Sequence, residues 1–315
     1  MRHRRTIAAV DPTVRVSFAS RDAARAAEFA RRHRGHASWG SYDAAIRDPS
    51  VDVVLIATPP VSHLDLTLLA LAAGKHVIVE KPAFLHAADV ATVEQLAARM
   101  GRRVLVAENY LYKPLTGVLR TIISSGELGD VRFIAVNALK DSIRPGWRGD
   151  PDVAGGGALF EGGVHWLHLM AELGLTIESV QGFRAGPASG LERSTLVVLR
   201  YVGGPVGTLH HSWETPARFR GLQLSRIAGT RGSVTFESNG IVVFLRGEHR
   251  SRWIFPGLRD IEGYRAMFRD FLAALRGTSE PRMTLARARR DLELIEAATP
   301  AAGTLATLAD AGISR

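Results

Sequence analysis

The first hundred or so residues alternate between two hydrophobic rhythms. Near-continuous apolar runs at Val14–Ala19, Val51–Ala57, His76–Glu80 and Arg103–Ala107 have the length and content of strands buried on both faces. Between them, Asp22–Arg32, Leu64–Ala73 and Ala87–Met100 carry the composition and spacing of helices. Gly74 and Gly101 follow the last two; glycine is favoured just past a helix because it takes the left-handed conformation without strain. Buried strands separated by helices predict a parallel sheet covered on both sides, a doubly wound, Rossmann-like α/β domain over residues 1–110.

After about Asn109 the rhythm changes. A helix at Leu115–Ser125, a strand at Val131–Leu139 and a helix opening after Gly157 come first. Short strand-like runs follow at Ser179–Arg184, Ser194–Tyr201, Val206–Ser212, Leu222–Ile227, Ser233–Phe236 and Ile241–Leu245. Gly203-Gly204-Pro205 and Ser238-Asn239-Gly240 separate some of them as tight turns. Helices are expected again at Tyr264–Arg276 and Thr284–Ala298. Residues 111–315 thus read as an α+β domain built on a mainly antiparallel sheet.

The front end is unusual for such a domain. In a doubly wound dinucleotide fold the first strand lies mid-sheet, and the glycine-rich turn after it cradles a pyrophosphate. Here Thr6–Val10 and Asp11-Pro12 lead straight into Val14–Ala19, with no Gly-x-Gly-x-x-Gly upstream. Residues 1–10 read as the tail of the helix that follows such a turn. Two explanations compete: a start assigned too far downstream, or a reduced relative with impaired cofactor binding. The later motifs read as intact, which favours the first. Either way, the edges of Val14–Ala19 and Val51–Ala57 should be left unpaired or forced together.

Bulk composition narrows the class. With 46% hydrophobic and 23% charged residues, the chain is an ordinary globular protein. It has no cysteine, which excludes disulfides, thiolate metal sites and a cysteine nucleophile. Met1–Arg5 is basic, but Ile7–Val10 is too short for a signal-peptide core, and no apolar run approaches a membrane span. A soluble, cytoplasmic protein is expected. The net charge of +9 comes from scattered arginines, a compositional bias rather than a nucleic-acid-binding patch. Only Lys75, Lys81, Lys113 and Lys140 are lysines, so a lysine within a motif carries more meaning: an ammonium can lose its proton, a guanidinium effectively cannot.

Two segments could carry chemistry. Lys81 follows the strand His76–Glu80, and ligands of open parallel sheets sit beyond the carboxyl ends of the strands. A lysine there could stabilise or take a hydroxyl proton; alternatively it is a solvated residue before a proline turn. The second segment is Gly155–Trp166, GGGALFEGGVHW. Gly162 and Gly163 interrupt a helix at a cost of about 1 kcal/mol each, so something should approach that backbone closely. At helical spacing Glu161, His165 and His168 share one face. His165 can relay a proton near neutral pH, with Glu161 fixing its tautomer. A core histidine satisfied by a carboxylate remains open, and so does a metal set of Glu161, His165 and His168, although no obvious fourth ligand completes the latter.

Taken with IATPPVSH (Ile56–His63), GKHVIVEKP (Gly74–Pro82), ENYLYKP (Glu108–Pro114) and SGELGDV (Ser125–Val131), these segments resemble the Gfo/Idh/MocA family of oxidoreductases, along nearly the whole chain. The resemblance implies an NAD(P)-dependent enzyme transferring hydride between a sugar, cyclitol or similar polyol and nicotinamide. Lys81 would match the active-site lysine and His165 the catalytic histidine. Thr58, Pro59, Pro60 and His63 would border the cofactor, Glu80 would approach the nicotinamide ribose, and Asn109, Tyr110, Trp147 and Arg148 would line the cleft. Many members carry Asp in place of Glu161 and His168, and the latter position frequently contacts substrate, so substrate class does not carry over. The tip of the strand Val14–Ala19 bears Ser20 and Arg21; an arginine there suits a 2′-phosphate, which predicts NADP over NAD. No metal, nucleic acid or membrane is expected as a partner. The second domain's sheet should expose a face through which a homodimer or homotetramer forms. The rival reading is a non-catalytic ligand-binding or regulatory relative.

Overall fold

The computed structural model describes residues 2–141, 146–187, 189–216, 222–248 and 250–299. The first helix, α1 (Arg2–Val10), leads to a two-residue strand β1 (Phe18–Ala19), helix α2 (Ala23–His33), strand β2 (Ser38–Trp39) and helix α3 (Tyr42–Arg47). Asp22 caps α2 by accepting the Arg25 N–H, and Ser41 caps α3 through Ala44, satisfying donors that a helix start leaves free. Strands β1 and β2 pair in parallel.

A second parallel sheet comprises β3 (Val53–Ile56), β4 (His76–Glu80) and β5 (Val104–Ala107), in that order, crossed over by α4 (His63–Ala72) and α5 (Asp89–Met100). Ile56 lies opposite Val79, and Glu80 opposite Ala107. The two parallel sheets do not join. The strand expected over Val14–Ala19 is therefore only Phe18–Ala19: Val14 and Val16 pack against the core, but no strand among the described residues pairs with that run on the β3 side. β3 is likewise an edge. The structure adds α3 and β2, which the apolar rhythm did not announce because each is short and polar.

The remainder follows the predicted order closely. Helix α6 (Pro114–Ser124) opens with proline, which fits a first helical turn. Strand β6 (Val131–Leu139), the short helix α7 (Pro151–Ala154), a π-helical turn at Leu159–Gly163 and α8 (Val164–Ala171) come next. Then come β7 (Ile177–Arg184), β8 (Ser194–Tyr201), β9 (Val206–Ser212), β10 (Leu224–Gly229), β11 (Ser233–Glu237), β12 (Val243–Arg246) and β13 (Ser251–Ile254). β6 to β13 form one eight-stranded sheet ordered β13–β12–β11–β10–β6–β9–β8–β7. Its neighbours run antiparallel except the β6–β9 pair. Ile134, Val197, Leu199, Leu209, Ile227 and Val234 point into the core, while Phe133, Leu224 and Trp253 stand exposed.

Helices α9 (Tyr264–Leu275) and α10 (Leu285–Ala298) bind the two halves together. α9 packs on α1, and α10 packs on α5, β7 and α8. One hydrophobic core runs from Ile7 through β4 and β5 to the eight-stranded sheet. Among the described residues no helix is long and apolar enough to cross a membrane.

Candidate active site

Glu80 and Lys81 stand at the carboxyl end of β4, the end at which an open parallel sheet meets its ligands. The Lys81 ammonium donates to the main-chain oxygen of Glu161 at 2.5 Å and lies 3.7 Å from the Glu161 carboxylate. Glu161 also accepts from Arg148 Nε at 3.0 Å. Burial pushes the Glu161 carboxyl up, but Lys81 and Arg148 outweigh it and hold it at about 2. Arg148 in turn lies over the Trp147 ring, 4.4 Å from its centroid.

The glycines have specific neighbours. A Cβ on Gly157 would meet the main-chain oxygen of Glu192 at 2.4 Å, and Glu192 accepts the amides of Ala158 and Leu159 that open the helix. A Cβ on Gly162 would stand 3.2 Å from both His211 Nε2 and Trp213 Nε1. The expected close approach to the backbone therefore comes from β9 and the residue just past it. The same Gly162 and Gly163 fall within the π turn, which closes i→i+5 and is wider than an α turn.

The structure corrects the sequence reading. The Glu161 carboxylate is taken up by Lys81 and Arg148, so Glu161 does not hold His165. His165 Nδ1 instead meets both carboxylate oxygens of Glu108 at 2.8 Å. Glu108 follows β5, is 1% exposed, and also accepts the Tyr110 N–H at 2.8 Å. Burial raises the Glu108 carboxyl, but His165 overrides it and holds it at about 2. For His165 itself burial wins: the ring is held below its usual range although Glu108 pulls upward. The Tyr110 ring stacks on the imidazole at 4.5 Å and 12°, and the Lys113 ammonium stands 4.3 Å from the same tyrosine ring. Among the described residues no hydrogen bond to His165 Nε2 is present, and the side chain is 17% exposed.

Other expected residues fall differently. His168 is fully buried and its Nδ1 meets Asp291 on α10 at 2.6 Å, so it does not open onto the cleft as expected. The metal set of Glu161, His165 and His168 is not assembled, and among the described residues no three His, Cys, Asp or Glu gather for a metal. Asn109 is buried, donating to the main-chain oxygen of Glu262 at 2.7 Å, which makes it a tie to the loop before α9 rather than a cleft residue. His63 is also buried, between the carbonyls of Pro82 (3.0 Å) and Thr58 (2.9 Å). It holds the Thr58-Pro59-Pro60 loop against the Lys81 turn from behind. Thr58 Oγ1 accepts from Ser62 at 2.7 Å. Glu108 is the residue that sequence reasoning missed. Its signal was an acidic residue directly after the wholly apolar Val104–Ala107.

A nicotinamide dinucleotide can be tested against these donors. At one end, Lys81, the Thr58-Pro59-Pro60 loop and the free Nε2 of His165 make a polar, partly open corner. At the other, Arg21 is exposed just past β1, where Ser20 Oγ accepts the Asp22 N–H at 3.2 Å. Between them the described residues contain no glycine turn for a pyrophosphate. The first turn of α1 occupies the top of β4 instead, with His3 on Glu80 at 2.5 Å and Arg2 on Glu262. The described residues suit the two ends of such a group.

The fold joins Rossmann-like parallel sheets to a large mixed sheet, with this corner at the carboxyl end of β4. Residues 2–108 match the model of an oxidoreductase family with an NAD-binding Rossmann fold, and residues 118–235 match that of the GFO/IDH/MocA C-terminal domain. The chain belongs to the Gfo/Idh/MocA family. Trans-1,2-dihydrobenzene-1,2-diol dehydrogenase of Homo sapiens is 30% identical over 252 residues, 78% of this chain and 73% of that protein. The Sus scrofa enzyme is 33% identical over 222 residues, 69% of this chain and 64% of the relative. Levoglucosan dehydrogenase in complex with NADH and levoglucosan shares the fold, with a TM-score of 0.81, 22% identity, and coverage of 94% and 92% of the two chains.

Proposed function

We propose that this protein is a dehydrogenase of CH–OH groups in sugars, cyclitols or related polyols, with residues 1–110 holding the nucleotide and 111–315 the substrate. The observation that carries this reading is the Lys81 ammonium meeting Glu161 on the turn that leads directly into His165. When bound, the nicotinamide supplies the hydride acceptor in oxidation. The substrate hydroxyl loses its proton to His165 Nε2 as its carbon becomes a carbonyl. Lys81 donates to the same oxygen and stabilises its developing negative charge, since a positioned donor is worth most in a site shielded from water. Glu161 keeps Lys81 in place, and Tyr110 with the Trp147-Arg148 pair borders the substrate. The relatives' names, a dihydrodiol dehydrogenase and a levoglucosan dehydrogenase, support a vicinal diol or sugar.

Arg21 supports NADP over NAD. A screen of sugars, cyclitols and diols against both nicotinamides tests the reading. Turnover of at least one polyol, faster with NADP, is expected; no turnover with either nicotinamide overturns the reading. Arg21→Ser is expected to lower the NADP-to-NAD preference about tenfold.

A second reading is a non-catalytic ligand-binding or regulatory relative. Calorimetry with NADPH separates the two: heat of binding is expected for the dehydrogenase, none for the alternative. The exposed Phe133, Leu224 and Trp253 on one face of the large sheet support assembly into dimers or tetramers, which light scattering would read as a multiple of the 34.1 kDa chain mass.

A further inference from the structure

We propose that Glu108 is the positioning residue for His165: its carboxylate holds the ring with Nδ1 as donor and so presents Nε2 to the substrate hydroxyl. This rests on the reading of His165 as the proton acceptor. Three features of the geometry carry it. Both Glu108 oxygens lie 2.8 Å from Nδ1, so small ring rotations do not break the contact. The carboxylate is itself fixed by the Tyr110 amide at 2.8 Å and is nearly sealed from water. The ring plane is set independently by the stacked Tyr110. Position and tautomer are thus determined before any substrate arrives.

Glu161 cannot take this part, because Lys81 and Arg148 already occupy it. Besides Glu108, the charged or titratable groups near His165 include the stacked Tyr110, Lys81 beyond β4, Glu161 in the π turn, His211 on β9, and His168 on its own helix with Asp291 behind it. Among the described residues none of these hydrogen-bonds the ring, whereas Glu108 does. In oxidation the hydroxyl proton moves to Nε2, leaving an imidazolium whose charge Glu108 balances. In the reverse direction the same proton returns to the alkoxide oxygen. The Glu108 carboxylate keeps its charge throughout, as an orienting carboxylate does behind a catalytic histidine.

The test reads the imidazole directly, by nitrogen-15 NMR of the full chain with labelled histidine and no cofactor. His165 is assigned from the signal lost in His165→Gln. In the unsubstituted protein near neutral pH, the proton is expected on Nδ1 and the lone pair on Nε2. Glu108→Gln preserves shape and an oxygen for the Tyr110 amide but removes the charge. It is expected to lower the His165 titration midpoint by about one pH unit or more. With an active polyol, it should also reduce kcat about tenfold or more with KM within about twofold, the acid limb of the rate profile moving with the midpoint. A merely structural role would leave the midpoint in place. A proton on Nε2 in the unsubstituted protein, or an unmoved midpoint in folded Glu108→Gln, overturns the proposal. Should the variant fail to fold, the tautomer of the unsubstituted protein still decides. Failure of every polyol would sink the catalytic reading alone, because the spectra judge the pairing without turnover.

Discussion

Two histidines on one helix, three residues apart, each meet a carboxylate through Nδ1, yet the two neighbourhoods differ in almost everything else. His165 keeps its second nitrogen free at a partly open corner beside Lys81. His168 is sealed between α8 and α10, with Asp291 in front and Glu172, Arg287 and Arg290 close by. His168 Nε2 is buried with no hydrogen-bond partner among the described residues. Burial pushes both rings toward neutrality, but only at His168 does the carboxylate win and hold the ring above its usual range. The pairing alone therefore does not mark a reacting histidine; what the second nitrogen faces does. In the proposed reading one pair exchanges a proton, while the other holds its ring charged more readily than usual.

The sharpest way to break this contrast is to remove each partner and read two quantities. His165→Ala and Lys81→Ala are each expected to lower kcat by about two orders of magnitude or more, Lys81→Ala with the unfolding midpoint in urea nearly unchanged. Near-normal turnover in both would take them out of the mechanism. His168→Leu should do the reverse. Leaving Asp291 buried with only Arg290 is expected to remove about 3 kcal/mol of unfolding free energy, while kcat in the folded fraction changes little. A stable His168→Leu would show that this pair does not tie α8 to α10.

Acidity separates the sites next. A histidine raised by folding adds stability that is full below its unfolded value of 6.5 and disappears as pH rises through the folded value. The stability gap between the parent protein and His168→Leu should therefore narrow on the alkaline side. Glu161 works in the opposite sense. Held at about 2 against an ordinary 4.5, it contributes above 4.5 and loses that contribution as pH falls toward 2. Denaturant midpoints across pH, with Glu161→Gln as the comparison, check both signs. The smallest effect is expected at the rim: Arg148→Ala should alter stability by less than about 0.5 kcal/mol and kcat/KM by less than about tenfold.

Much of this was legible in the sequence because it depends on local rhythm. The strands His76–Glu80, Val131–Leu139, Ser194–Tyr201 and Val206–Ser212 emerge at the expected boundaries, since apolar content and glycine punctuation decide them. The glycine-histidine segment was visible as chemistry but not as geometry. A phase argument says which side chains share a face, not which partners other elements bring to them: Lys81 and Arg148 take up Glu161, and Asp291 on α10 meets His168. Glu108 and Asp291 were invisible for another reason. Each lies more than fifty residues from its histidine, and only the path of α8 past β5 and α10 brings them together. Strand β13 escaped because Ser251-Arg252-Trp253 gives no apolar run.

The outer edge of β3 has a consequence beyond catalysis. Among the described residues Val53–Ile56 pairs as a strand with β4 alone, so its other side has no strand partner there and is flanked by half-buried valines and leucine. Such a ladder with one rail missing recruits extended peptide through main-chain bonds. Crowded preparations will then clump in a way that added salt does not cure, because the attraction is carried by the backbone and not by charge.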